Sequence, residues 1–199
     1  MAGGHREALL DAAKRMLRER GYANTTARDL VAASGTNLGS IGYHFGSKEA
    51  LLNEALGELF DDWTRRVTDA GRADAAAGPL EQAAASWVAM LEAMPESRPL
   101  LQAFADSLGP TTRSPELRAQ LAAQYAKTRR IVGGVVADAL GPAAVEAGAD
   151  PEVVASFFIA ICDGLVVQYL LDPDACPDGE QLITALGAAL SAATGAAPA

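Results

Sequence analysis

Three glycine breaks, at Gly21, Gly35 and Gly46, cut the first fifty residues of this chain into one long and two short apolar-periodic segments. From Arg6 to Arg20 the residues Leu9, Ala12, Ala13, Met16 and Leu17 recur at three and four, the spacing of an amphipathic helix. Gly21 closes it, with Arg18 and Arg20 in the last turn, where the helix dipole favours cations. Thr26-Ala27-Arg28-Asp29 has capping-box form, a hydroxyl at the N-cap and a carboxylate three residues on. It opens a short second helix through Ala33 with Leu30 and Val31 inward, which Gly35 breaks. A third helix is predicted from Leu38 to Phe45, and Gly46-Ser47 separates it from a long helix over 48–69. Two short helices joined by a turn of a few residues containing Gly form either a helix-turn-helix or an ordinary helical hairpin. Periodicity alone leaves both open.

The remainder also reads as helix. Alanine and leucine occupy 43 and 23 of the 199 positions, against 26 for Val, Ile and Thr together. Ala and Leu lose little freedom in a helix and β-branched residues are stiff there, so a sandwich or parallel sheet is excluded. Segment 71–79 reads as a linker, and Leu80 to Met94 as a helix that Pro95 ends. Pro99 and Pro115 each suit a first helical position, the latter with Ser114 as N-cap, and predict helices over 99–109 and 115–140. Gly141-Pro142 stops the second, leaving at most a short turn in 143–149. Asp150-Pro151-Glu152 combines a cap, a proline and an acid at one helix start. The helix it opens, Val153 to Leu171, is apolar nearly all round and long enough to span a membrane. Asp163 near its middle would cost about 2.5–3.5 kcal/mol on insertion, and Gln168 adds to that. The favoured reading is a helix buried on two sides within protein. A last helix over 179–194 carries Leu182, Ile183, Leu186 and Leu190 on one stripe, with Gly187, Ala188, Ala189 and Ser191 beside it for close helix approach. The terminal GAAPA is read as frayed. The expectation is an all-α chain of about nine helices.

Charge divides the chain. Residues 1–50 hold seven Lys/Arg against five Asp/Glu, whereas the remainder is strongly acidic and brings the whole to −9. One end therefore suits an anionic partner. Cys162 and Cys176 form neither a disulfide framework nor a CxxC pair. Cys162 reads as a small buried hydrophobe and Cys176 as a loop thiol. His5 and His44 have no metal-ligand spacing, so no metal and no cofactor are expected. Asp61-Asp62 are adjacent and point apart, as on a solvated helix face. With no nucleophile–base pair and no phosphate loop visible, an enzyme is not expected. Charges in MAGGHREALLDAAKRMLRER occupy the place of a signal peptide's apolar core, which points to the cytoplasm.

Residues 6–56 carry eighteen positions in fixed order: Ala12-Ala13, Gly21-Tyr22, Thr25-Thr26, Ala33-Ser34-Gly35, Gly39, Ile41, Tyr43, Phe45, Ser47-Lys48-Glu49 and Leu51-Leu52. This stretch resembles the DNA-binding region of the TetR (AcrR-like) family of bacterial transcriptional regulators. Beyond it the chain resembles the family only in helix count and in DGLVVQYLLDP. The resemblance implies a helix-turn-helix domain over 1–46 and a helical effector-binding and dimerisation domain over 47–199. It implies a homodimer that places one helix-turn-helix per subunit in the major groove of an operator, associated with the nucleoid when bound. The two C-terminal helices of each subunit would form a four-helix interface, and an effector would change the spacing of the two reading heads. Repression is the expected outcome; activation by the same fold, or a protein-interaction module, are the alternatives.

On this resemblance the third helix reads DNA. Asn37 and Ser40 suit base hydrogen bonds and Leu38 a thymine methyl. Tyr43, His44 and Lys48 suit phosphates. Arg28 reaches a base or phosphate, and Thr26 a phosphate through its backbone N–H. Gly39 and Gly42 share this face. Many family members have an aromatic residue where this chain has Gly42, and glycine there costs about 1 kcal/mol relative to Ala; close approach of the backbone to DNA is the favoured reason. For the effector, Trp87, Met90, Met94, Phe104, Tyr125 and Phe158 are core residues that can line a pocket, which favours a mostly apolar small molecule. Asp163 either pairs with an Arg such as Arg129, caps a neighbouring helix, or enters the pocket with it. Phe157, Ile161, Leu165 and Gln168, with Leu182, Ile183, Leu186 and Leu190, are the expected dimer face.

Overall fold

Caps and prolines place most helix starts. The computed structural model describes residues 2–74 and 76–194, within which nine α-helices occur: α1 (Ala2–Arg20), α2 (Ala27–Ser34), α3 (Leu38–Phe45), α4 (Lys48–Gly71), α5 (Pro79–Glu92), α6 (Met94–Arg113), α7 (Pro115–Glu146), α8 (Pro151–Leu171) and α9 (Gly179–Thr194). Pro79, Pro115 and Pro151 each occupy the first helical position, where the missing N–H breaks no bond. Asp150 caps α8 by accepting from the Glu152 and Val153 amides. Gly141, at φ +74°, breaks α7 just before Pro142, as the Gly-Pro pair predicts. Residues 195–199, read as frayed, lie outside the described residues, as does the side chain of Leu190.

One expectation about helix starts is corrected. Pro99 does not open a helix: α6 starts at Met94 and runs through both Pro99 and Pro110. Each proline forfeits one backbone hydrogen bond. Its compensation is a continuous face in which Ala103, Ser107 and Thr111 are buried while Leu100 and Phe104 pack on the core. After α8, Pro173–Ala175 form one 3₁₀ turn capped by Asp172, and Cys176 follows it.

The chain divides into two compact units that do not follow chain order. The first comprises residues 1–63 and 96–128. Its core joins Leu9, Leu17, Leu30, Ile41, Leu51 and Leu52 with Ala103 of α6. Burying each leucine contributes roughly 1.5–3 kcal/mol. Ion pairs of α1 with α4 flank that core, Arg6 with Glu54 and Lys14 with Glu58. The first half of α7 is fastened along α4 by side chains. Gln120 donates to the Ala50 carbonyl (3.0 Å), Gln124 to Asp61 (2.8 Å), and Lys127 pairs with Asp61.

The second unit comprises residues 64–95 and 129–199. Within it α5 packs on α9, where Gly179 sits so close to Val88 that a Cβ would come within 2.9 Å of the Val88 Cα. Gly71 meets Ser86 still more closely; a Cβ there would lie 1.9 Å from its hydroxyl oxygen.

Candidate nucleic-acid interface

The turn between α2 and α3 is built from local hydrogen bonds. Thr26 accepts from the Asp29 amide (3.2 Å), and Asp29 accepts from the Thr26 amide (3.0 Å) and hydroxyl (2.6 Å). These bonds, led by those from Thr26 and aided by Arg20, hold the Asp29 carboxyl below its ordinary value. Gly35 ends α2 in the left-handed region at φ +67°, which glycine enters without steric cost. The Ser34 and Thr36 hydroxyls bond each other across it at 2.8 Å. Asn37 then caps α3, accepting from the Ser40 amide at 3.1 Å. One lone pair of its amide oxygen is thereby engaged, while its NH₂ donates to no group of the α3 cap.

Helix α3 buries Ile41 and packs Phe45 on the core, while Leu38, Gly39, Gly42 and Tyr43 point outward. Leu38 is 55% and Tyr43 81% exposed. Ser40 is not on this face. It is buried, because at 100° per residue it follows Ile41 inward rather than Leu38 outward. A Cβ added at Gly42 would meet nothing within 4 Å, whereas one at Gly39 would press on the Asn37 cap at 3.1 Å. His44 is half-buried, edge-on to Tyr43 with ring centroids 4.8 Å apart. Arg28 is exposed, and among the described residues no ion pair engages it. Lys48 has internal work: it donates to the Thr25 carbonyl at 3.1 Å and pairs with Glu49 at 3.3 Å, tying the start of α4 to the start of α2. Ser47 caps α4 by accepting from the Ala50 amide. The rule that identified Thr26 as a cap applies equally to Ser47.

The eight expected pocket residues fall into both units. In the second, Trp87 and Phe158 stack edge to face at 5.4 Å. The Trp87 indole donates to Cys162 Sγ at 3.3 Å, and Cys162 donates to Met90 Sδ at 3.2 Å. Burial pushes the Cys162 thiol up to about 11, and Asp163 adds to the shift. Met94 is buried, Asp163 is half-buried, and Arg129 is half-buried with its Nε sealed from solvent and without a hydrogen-bond partner. In the first unit Phe104 packs against Phe60 and Tyr125. None of the eight lines the cavity of about 330 Å³ formed in the second unit by Arg72, Gln82, Ser86, Val135, Asp138 and their neighbours. The Arg72–Asp138 pair at its edge (3.7 Å) has no signature of spacing in the sequence.

Helix α8 is not covered on two sides. Only Ala155, Leu165 and Val166 are buried, although by length and composition it could cross a membrane. Leu165 therefore belongs to the chain's own core and not to a dimer face; Ile161, Leu182, Ile183 and Leu186 are half-buried. The outward residues are Val153, Phe157, Ala160, Gly164, Val167 and Leu171, with Gln168 alongside, spaced alternately four and three apart. On α9 the outward residues include Ala185, Gly187, Ala188 and Ala192.

A short third helix with an uncovered face, joined to α2 by a glycine turn on a capped three-helix scaffold, has the arrangement of a helix-turn-helix. Comparison with known proteins agrees. Residues 9–55 match the bacterial regulatory proteins of the TetR family, and residues 79–195 match the C-terminal region of BetI-type transcriptional repressors. The chain belongs to the TetR family. It is 44% identical over 59 residues to the transcriptional repressor KstR2 of Rhodococcus jostii, a match spanning 30% of this chain and 29% of that relative. It is 24% identical over 189 residues to the repressor DhaR of a Mycobacterium species, covering 95% and 93% of the two chains. The solved structure of Bacillus subtilis FadR in complex with stearoyl-CoA shares the fold, with a TM-score of 0.63, 17% identity and coverage of 90% and 94%. The chain is thus a DNA-binding transcriptional regulator, from a family of regulators rather than enzymes whose members bind operators and small-molecule effectors, typically as dimers.

Proposed function

We propose that this chain is a homodimeric cytoplasmic repressor that occupies a palindromic operator until a mostly apolar small molecule binds its C-terminal region. The observation that carries the reading is the uncovered face of α3, Leu38, Gly39, Gly42 and Tyr43, with Asn37 at its cap; Arg28 on α2 is exposed as well. Residues 1–46 read DNA and residues 47–199 dimerise and bind the effector. The dimer face is the α8 seam of Val153, Phe157, Ala160, Gly164, Val167 and Leu171, beside the small residues of α9. Its 3–4 spacing is that of a helix packed against a second helix. An effector with a large apolar part is supported by the Trp87–Phe158 cluster and by the stearoyl chain of the stearoyl-CoA in the FadR structure.

The test is selection of bound fragments from random-sequence DNA, followed by fluorescence anisotropy across a salt series. A palindromic consensus bound far more tightly than scrambled DNA is expected, with affinity falling steeply as salt rises. Equal, weak binding to both DNAs would overturn the reading. Stearoyl-CoA is the first effector probe; retention of the complex against it and against a panel of apolar compounds would remove the effector assignment while leaving the DNA assignment standing.

A further inference from the structure

We propose that Asn53, on α4, is a positioning residue for operator binding that pins the turn after α1 of the reading head to the C-terminal turns of α6. The inference rests on the reading of the chain as an operator-binding regulator and adds the side chain that fixes its register. The Tyr22 hydroxyl donates to Asn53 Oδ1 at 2.9 Å, and Asn53 Nδ2 donates to Thr111 Oγ1 at 3.2 Å. One amide thus joins α4, α6 and the turn that follows α1. Tyr22 is 3% and Thr111 2% exposed, so water does not replace a bond lost at either end. Burial, and after it the Glu49 carboxylate, hold the Tyr22 phenol far above its ordinary range, which keeps it a donor.

The ion pairs Arg6–Glu54 and Lys14–Glu58 and the Gln124–Asp61 bond set the register of α4 against α1 and α7, and the Asn53 amide sets it against α6. Gln120 and Gln124 of α7 donate to the Ala50 and Gly57 carbonyls, and backbone carbonyls recur along every turn of α4. The α6 residues Leu100, Ala103 and Phe104 make apolar contacts with the core, which are non-directional. A one-turn slide of α6 by about 5.4 Å would carry Thr111 out of reach of Asn53 and leave the Asn53 Nδ2 donor and the Thr111 hydroxyl without each other. Thr111 lies 58 positions from Asn53 in sequence, outside the reading head, yet through this amide it bears on Tyr22 in the turn after the first head helix.

Tyr22→Phe and Thr111→Val each remove one bond at nearly constant shape, so both variants fold, as circular dichroism will show. Each is expected to weaken binding to the selected operator three- to tenfold while binding to scrambled DNA changes less than twofold. The double variant is expected to be no weaker than the worse single one, because both act through the same amide. Amide hydrogen exchange without DNA reads the same pin: Thr111→Val is expected to speed exchange in residues 9–30. Unchanged operator affinity, equal losses on both DNAs, or unchanged exchange in residues 9–30 would each overturn the proposal. A wild-type protein that selects no operator would overturn the regulator reading instead, and the exchange result would still decide the pin.

Discussion

Gly42 is the residue at which stability and function are set against each other. It lies in the interior of an eight-residue helix, and a Cβ there would meet nothing of the protein within 4 Å. Gly42→Ala is therefore expected to stabilise the head by up to about 1 kcal/mol. Operator affinity should fall at least tenfold if backbone meets DNA there, measured by thermal unfolding and anisotropy on one preparation. A gain in stability with unchanged affinity would mean that DNA does not require the glycine. At Asn37 the cap complicates the usual alanine substitution, since losing it costs about 1 kcal/mol by itself. Asn37→Ser keeps an oxygen for the Ser40 amide and removes the NH₂, so it is expected to relax preference at one base pair per half-site. His44→Ala is expected to weaken all sequences alike. Asp29 has a folded value below its ordinary 3.8, so the unfolded chain binds more protons in that window and stability rises with pH across it. The capping box contributes above about pH 4 and loses its contribution as pH falls through the lower folded value. The difference in melting temperature between wild type and Asp29→Asn should accordingly shrink from pH 7 to pH 3.

At the scale of elements, α8 separates two kinds of apolar residue that look alike in sequence. Leu165→Ala removes a buried side chain and is expected to destabilise the fold by about 2–5 kcal/mol with no change in oligomeric state. Phe157→Glu alters a side chain that is 55% exposed and should leave the secondary structure intact. It should convert a dimer to a monomer in light scattering, because a carboxylate would be buried without a partner. A Phe157→Glu protein that stays dimeric would place the interface off this seam. Helix α6 shows the opposite ambiguity. Pro99 reads as a helix start by its type, yet a continuous buried face carries the helix through it. Propensity is local and packing is not, so packing decides when the two conflict.

On the scale of the whole molecule, the head of a net-acidic chain carries the excess of positive charge, and the uncovered seam lies on α8. An obligate dimer of this kind would unfold with a melting temperature that rises with protein concentration. Scanning calorimetry at two concentrations a hundredfold apart checks it. What sequence alone determined were the features that depend on neighbours a few positions away. The capping box at Thr26, the left-handed Gly35, the bounds of α3 and the break at Gly141 all follow from one residue's own backbone limits or from a bond spanning three positions. The outward placement of Leu38 and Tyr43 was legible for the same reason, while that of Ser40 was not, since the core fixes how α3 is rotated. Only the tertiary structure decided which face of the all-apolar α8 stays open, that Leu165 is core, and that residues 96–128 pack with the head. It alone brought Asn53 between Tyr22 and Thr111. Those outcomes depend on contacts between residues far apart in the chain, which side-chain type and spacing along one helix do not encode.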